Sequence, residues 1–234
     1  MNSIYCKLII ASLTDKLKTF SYVMLTYGIL SASNAQANDS TSWKNWKESD
    51  KLSVVYRSSQ YKNLIEIKAY AKLTSSLSGF IYFIEDLKQM PLWLDNAESA
   101  SIIEQITINE NIFITHFNGL WPVSAREMVV HSRYWQNNDL SVEIAVDDAG
   151  TSIEKNKGFV RMQVHSAHWK IIPTALGQIE VTYQFVVDPC GNIPQWLTKP
   201  MTLNGIWTTL NNLREQLPNS KWQQVHKPGI KERH

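Results

Sequence analysis

Histidines, acidic pairs and one cysteine are the residues of this 234-residue chain whose types suit chemistry, and their spacing supports little of it. His165 and His168 are three apart. On a strand such residues face opposite sides, so they share a metal only where the strand ends between them, and no third ligand follows at a usable spacing. His116 and His131 read as ordinary polar positions of strands rather than as bases. Glu85-Asp86 ends a helix-like segment and Asp147-Asp148 fills a turn, places where solvated carboxylates are the simpler reading. Cys190, in Asp188-Pro189-Cys190-Gly191, has no cysteine or basic residue beside it in the chain to lower its pKa, and reads as a turn thiol. Nucleophile elbow, phosphate loop and dinucleotide fingerprint are all missing, so no cofactor, no resident metal and no catalytic residue are expected.

Arg126 is the exception. It shares the alternation of Met128 and Val130, which sets a guanidinium on an apolar strand face, where it needs an acidic partner or a ligand head group. The same alternation runs through four segments: Met128, Val130 and Ser132; Val142, Ile144 and Val146; Val160, Met162 and Val164; Ile179, Val181, Tyr183 and Phe185. Positions between them carry Glu127, His131, Arg133, Glu143, Arg161, Gln163, His165, Glu180, Thr182 and Gln184. One sheet face is therefore apolar and the other wet.

The elements that must hold these faces follow from period and punctuation. Asp39 to Ser42 precede Trp43, Trp46 and Leu52, which predicts a capped first helix with apolar residues at i and i+3. Strands are predicted at 53–58 and 64–73, then a helix over Ser75–Leu87, where Leu77, Phe80, Ile81, Ile84 and Leu87 recur every three or four residues. Ile102–Ile108 and Ile112–Phe117 flank the turn Asn109-Glu110-Asn111, and further strands are read at 125–135, 140–147, 159–169 and 178–187. From Pro194 to Leu217 the pattern is helical, with Leu203, Ile206, Trp207, Leu210, Leu213 and Leu217 on one stripe and Thr202, Thr208, Asn211, Asn212 and Glu215 away from it. A curved antiparallel sheet wrapped around this long C-terminal helix, an α+β architecture, is the economical way to cover the apolar face. The period is the same whether helix and sheet touch or enclose a cavity.

Composition narrows the class. Hydrophobic residues make up 44%, charged residues 19% and aromatic residues 11%, which excludes disorder, collagen and coiled coil. Lys7, Lys16 and Lys18 precede an apolar run from Phe20 to Leu30 and then Ala35-Gln36-Ala37, the layout of a secretory signal peptide over residues 1–37, with an uncleaved interfacial anchor as the alternative. Residues 38–234 read as one domain without repeats or linkers. They carry twenty basic and twenty acidic side chains, so no basic surplus exists to attract nucleic acid or an anionic bilayer. Cys6 falls in the leader and Cys190 is alone after it, leaving no internal disulfide. All nine tryptophans follow residue 42; Trp93, Trp121, Trp169 and Trp196 sit near element ends, where packing is the expected role.

The order of these features resembles the START family, the steroidogenic-acute-regulatory-protein-related lipid-transfer domains. The similarity is carried by the Trp-bearing N-terminal segment, by Phe80…Ile84…Asp86…Trp93-Leu94-Asp95, and by Pro122-Val123-Ser124-Ala125-Arg126-Glu127, where Glu replaces the Asp of an Arg-Asp strand start. It continues through Trp169…Pro173, Val181…Tyr183 and Asp188-Pro189-Cys190-Gly191-Asn192-Ile193-Pro194-Gln195-Trp196-Leu197, spanning about residues 43–217. The resemblance implies a helix-grip fold with an apolar tunnel for one lipid or sterol, and binding and transfer rather than catalysis. Where the family often has a second charge inside this strand, Val130 and Ser132 stand here, and the exported leader implies a bacterial periplasmic version.

The expected function is thus that of a periplasmic or secreted carrier of a lipid or sterol-like hydrophobic ligand, with transient membrane contact. Arg126, Met128, Val130, Val142, Ile144, Met162, Val164, Val181 and Tyr183 are its candidate pocket wall, closed by Leu203, Trp207 and Leu210. A cyclase-like enzyme on the same architecture would need converging polar groups, and the inward positions offer only Arg126, Ser132, Ser166 and Tyr183. A filled domain acting through protein contacts is the third reading.

Overall fold

The alternating segments assemble into one ten-stranded sheet of order β1-β2-β3-β10-β9-β7-β6-β5-β4. Its strands are β1 (Lys44–Glu48), β2 (Leu52–Ser58), β3 (Ile65–Thr74), β4 (Ala97–Thr107), β5 (Glu110–Phe117), β6 (Arg126–Gln136), β7 (Val142–Asp148), β8 (Val160–Arg161), β9 (Gln163–Ala175) and β10 (Gln178–Asp188). Every pairing is antiparallel except that of the short β8, which runs parallel to β6. The computed structural model describes residues 42–119, 121–175 and 177–233, so the leader expected over 1–37 lies outside the described residues. After β3 the chain crosses by helices α1 (Leu77–Glu85) and α2 (Met90–Trp93) to the opposite edge, β4. It then meanders back until β10 pairs with β3. Helix α3 (Gln195–Gln216) follows, and packs on β2 and β3.

Two expectations are corrected. The first helix is absent: Lys44–Glu48 is an edge strand paired with β2. The three-residue spacing of Trp43 and Trp46 imitates a helix, but on an extended chain it sends the rings to opposite faces. Trp43 stacks with the Arg57 and Lys68 side chains, whereas Trp46 meets Trp207 edge-on at 6.1 Å. The second correction concerns the strand read at 159–169. It breaks at Met162, so Val160–Arg161 pairs with β6 while Gln163 onward pairs with β10. An irregularity where Val186 and Val187 oppose Ser166 and Val164 then reverses the parity: Val164 and Ala167 are buried and Ser166 is exposed. The reading of Ser166 as inward fails for that reason.

Nor is the outer sheet face wholly wet. Ile114, Val129 and Ala149 form a satellite core there with Ile103, Ile112 and Ile153, beneath the segment that joins β7 to β8. Under the same segment Glu127 is 0% exposed. It accepts from the Asn156 backbone N–H at 3.0 Å, Asn156 Nδ2 at 2.7 Å and Arg161 Nε at 3.0 Å. Burial by itself raises the Glu127 carboxyl, but these donors outweigh it and hold the group below its ordinary 4.5.

The C-terminal residues strap this architecture together. Both Glu232 carboxylate oxygens accept from the first turn of α1, from Leu77 N at 3.0 Å and Ser78 N at 2.8 Å, beside the Ser76 cap. Lys227 Nζ reaches Glu85 at 2.6 Å over the Tyr82 ring, and Ile230 is buried in the main core.

Removing one member of the Glu127–Arg161 pair strands a buried charge, so Glu127→Ala is expected to lower unfolding free energy by about 3–5 kcal/mol in chemical denaturation. Because the folded pKa is depressed, the contribution of Glu127 is complete above pH 4.5 and disappears as pH falls through the lowered value. Glu127→Gln should therefore flatten the acid limb of the stability profile, and an unchanged limb would contradict this assignment.

Candidate functional site

Helix α3 covers only part of the inner sheet face. On the side of β5, β6, β9 and β10 a cavity of about 300 Å³ remains, at the small end of the range for ligand pockets. Its sheet wall is Phe113, Thr115 and Phe117 from β5, Arg126, Met128 and Val130 from β6, Val146, Met162, Trp169, and Tyr183, Phe185 and Val187 from β10. Its helix wall is Thr198, Met201, Thr202, Gly205, Ile206 and Thr209, and it is completed by Met90, Trp93 to Asn96, Asn118, Val123, Pro189 and Ile193.

The structure brings Arg126, Met128, Val130, Met162 and Tyr183 together on this wall. It places Val142, Val164 and Val181 in the filled core, and Ile144 on a smaller chamber of about 90 Å³ that shares Met90, Trp93, Phe113, Val146 and Trp169 with the first. Ser132 also faces that chamber. Leu203 and Leu210 are fully buried in the main core and do not line the cavity. Trp207 lies outside it, against Trp46 and under Lys47 Nζ at 4.4 Å.

The helix face that lines the cavity only partly follows the periodicity: Ile206 belongs to the apolar stripe and Thr202 to the face set away from it, whereas Thr198, Met201, Gly205 and Thr209 fall in neither. Thr198, Thr202, Gly205 and Thr209 recur every three or four residues, and their small polar side chains look solvent-facing in a pattern. A cavity survives only where side chains do not fill it, so the leucine stripe went to the packed core and the threonine stripe to the open space. Phe113, Thr115 and Phe117 were also missed, although they alternate within a strand that the sequence identifies. That alternation is the signal from which they follow.

Arg126 is 7% exposed, and the expected acidic partner is replaced by backbone carbonyls. Its Nε donates to Pro189 O at 3.0 Å, Nη2 to Cys190 O at 3.2 Å and Nη1 to Ser124 O. The 188–191 turn can present those carbonyls because Cys190 and Gly191 take positive φ, 53° and 70°. Burial lowers the Arg126 pKa, and the nearby Cys190 partly offsets this. Arg126 is a basic neighbour that the chain order did not place near Cys190, yet burial and then Asp188 push the thiol up, away from nucleophile behaviour. Tyr183 stacks between Trp169 at 3.9 Å and Phe185 at 4.7 Å, and burial pushes its hydroxyl far up, so it stays neutral.

The other titratable candidates lie elsewhere. His131 pairs with Glu110 at 2.7 Å and His168 with Glu143 at 2.9 Å, both on the outer face, while His165 stacks on Tyr61 at 3.8 Å. Among the described residues no group of three potential ligands could hold a metal. Trp93 and Trp169 are buried as packing residues, but Trp121 is 93% and Trp196 76% exposed, against expectation. Both adjoin cavity-lining segments: Val123 and Asn118 beside Trp121, Ile193 and Thr198 beside Trp196.

Filling the cavity should be tolerated where ligand entry is not. Val130→Phe is expected to leave the thermal midpoint unchanged or higher while weakening uptake of a fluorescent fatty-acid probe at least tenfold; undiminished uptake would place the ligand elsewhere.

Residues 32–223 match the START domain family. An uncharacterized protein of Pseudomonas aeruginosa, PA1579, is 29% identical over 189 residues, 78% of this chain and 89% of its own. Among solved structures, a STAR-related lipid transfer protein from Xanthomonas axonopodis superposes with a TM-score of 0.67 at 25% identity, covering 75% of this chain and 98% of its own. Human StAR-related lipid transfer protein 5 reaches the same TM-score of 0.67 over 89% of this chain and 98% of its own, and at 17% identity it speaks to fold alone. With the family match running from the edge strands through α3, and with the same sheet gripping the same long helix, this chain belongs to the START domain family.

Proposed function

We propose that this protein carries a single hydrophobic ligand, a lipid or sterol-like molecule, in the cavity between the sheet and α3, and exchanges it at a membrane. The observation that carries this reading is the cavity itself: a partly open, largely apolar space walled by Met128, Val130, Phe113, Phe117, Met162 and Val187 between the sheet and the helix. Each methylene buried there contributes roughly 0.8 kcal/mol, so an alkyl chain binds without specific polar contacts. The likeness to lipid transfer proteins supports the same class of ligand.

Binding rather than catalysis fits the wall chemistry. Among the described lining residues the polar groups are an arginine held by carbonyls, an acid, asparagines, threonines, two tryptophans and one neutral tyrosine, without a nucleophile hydrogen-bonded to a base. Exchange requires an opening, and the exposed Trp121 and Trp196 beside the cavity-lining loops are suited to the bilayer interface, where an indole buries its rings and keeps its N–H wet. The 1–37 leader assigns the work to the periplasm or exterior, in which case N-terminal sequencing of the exported protein should begin at Asn38.

Native mass spectrometry of protein purified without detergent is expected to show one lipid-sized adduct, identified after extraction; a protein that is empty and refuses added fatty acids, phospholipids and sterols would refute the carrier reading. Replacing both Trp121 and Trp196 with alanine should reduce vesicle co-sedimentation and slow ligand transfer several-fold while leaving occupancy intact, which separates docking from binding.

A further inference from the structure

Two charges on the wall of the cavity have no opposite charge to meet. Among the described residues, no carboxylate lies within 4.0 Å of the Arg126 guanidinium and no cation within 4.0 Å of the Asp95 carboxylate. Three carbonyls orient Arg126 but carry no net charge, and two of its five N–H groups remain uncommitted. Asp95 stands where α2 gives way to β4, at the end of the sheet where Ala97 pairs with Phe117 and Phe117 with Arg126. Its backbone N–H donates to Thr209 Oγ1 at 3.0 Å, and its carboxylate lies against α3 at Gly205. A Cβ at position 205 would come within 3.2 Å of Asp95 Oδ2, so the glycine, unfavourable inside a helix, leaves that carboxylate its place. Burial raises the Asp95 carboxyl, with no cation beside it to offset the rise.

An isolated charge on an apolar wall is costly, and two of opposite sign that do not pair with each other favour a ligand that brings both counter-charges. We propose that the cavity selects a single-chain zwitterionic amphiphile, with its anionic group at Arg126, its cationic group at Asp95 and its alkyl chain along Met128, Val130 and Met162. The volume of about 300 Å³, small for a ligand pocket, favours one chain over two. This inference rests on the carrier reading and adds the class of head group.

Four probes that share one chain separate the two. Dodecylphosphocholine, dodecyl sulfate, dodecyltrimethylammonium and dodecanol are titrated below their micelle concentrations by calorimetry. The expected result is a dissociation constant for dodecylphosphocholine at least tenfold below that of each other probe. Asp95→Asn should weaken dodecylphosphocholine and dodecyltrimethylammonium about tenfold without weakening dodecyl sulfate. Gly205→Ala, which crowds the carboxylate rather than removing it, should act in the same direction and less. Equal affinity for all four probes, tightest binding of dodecyl sulfate, or an Asp95→Asn variant that weakens all four alike would overturn the head-group assignment while leaving the carrier reading in place. Binding of none of them would remove the carrier reading as well.

Discussion

One helix has to cover the apolar face of a ten-stranded sheet, and it is too narrow to do so. An α-helix with its side chains is about 10–12 Å across, while neighbouring strands lie about 4.8 Å apart, so α3 screens two or three strands at a time. It settles on β2 and β3, where Leu52, Val54, Ala69 and Ala71 are fully covered and meet Leu203, Leu210 and Leu213 in a packed core. The curved remainder of the sheet bends around the helix and leaves a space against it on the side of β5 and β6, and that space is the cavity. Binding capacity in this protein follows from that geometric shortfall.

What keeps the shortfall from collapsing is rigidity around it. The Trp169–Tyr183–Phe185 stack stiffens the strand wall with large rings that cannot fold into the space. Arg126 ties the start of β6 to the turn before α3 through the Pro189 and Cys190 carbonyls, so the strand and the helix entrance hold a fixed separation. On the outer face Glu127, one residue along, binds Arg161 and Asn156 and fixes β8 to β6, which delivers Met162 to the cavity. Two adjacent residues on opposite faces of one strand thus secure the mouth and the wall, and the C-terminal strap through Lys227 and Glu232 holds α1 in place at the far end.

Exposed tryptophans complete the functional picture at the opposite extreme of burial. Trp121 and Trp196 gain nothing from water, and their positions beside the two loops that line the cavity link surface chemistry to the interior. The proposed carrier function would use this combination, because its ligand has to leave one apolar phase for another without crossing bulk water.

The sequence by itself determined most of the central strands, the apolar face of β6, β7 and β10 and the long last helix, because period-2 alternation over those strands and a leucine stripe over Leu203–Leu217 are local properties that burial enforces residue by residue. It also determined that Arg126 is held apart from water, since parity alone puts it with Met128 and Val130. Only the tertiary structure decided which side of α3 meets packed core and which meets empty space: leucines and threonines both lie on turns of one helix, and a cavity has no side chain of its own to leave a period. It likewise decided that Trp43 and Trp46 belong to an extended edge segment, that an irregularity turns Ser166 outward, and that Arg126 is oriented by carbonyls from residues 63 and 64 positions away. Those outcomes depend on register and on contacts between distant segments, which no local pattern encodes.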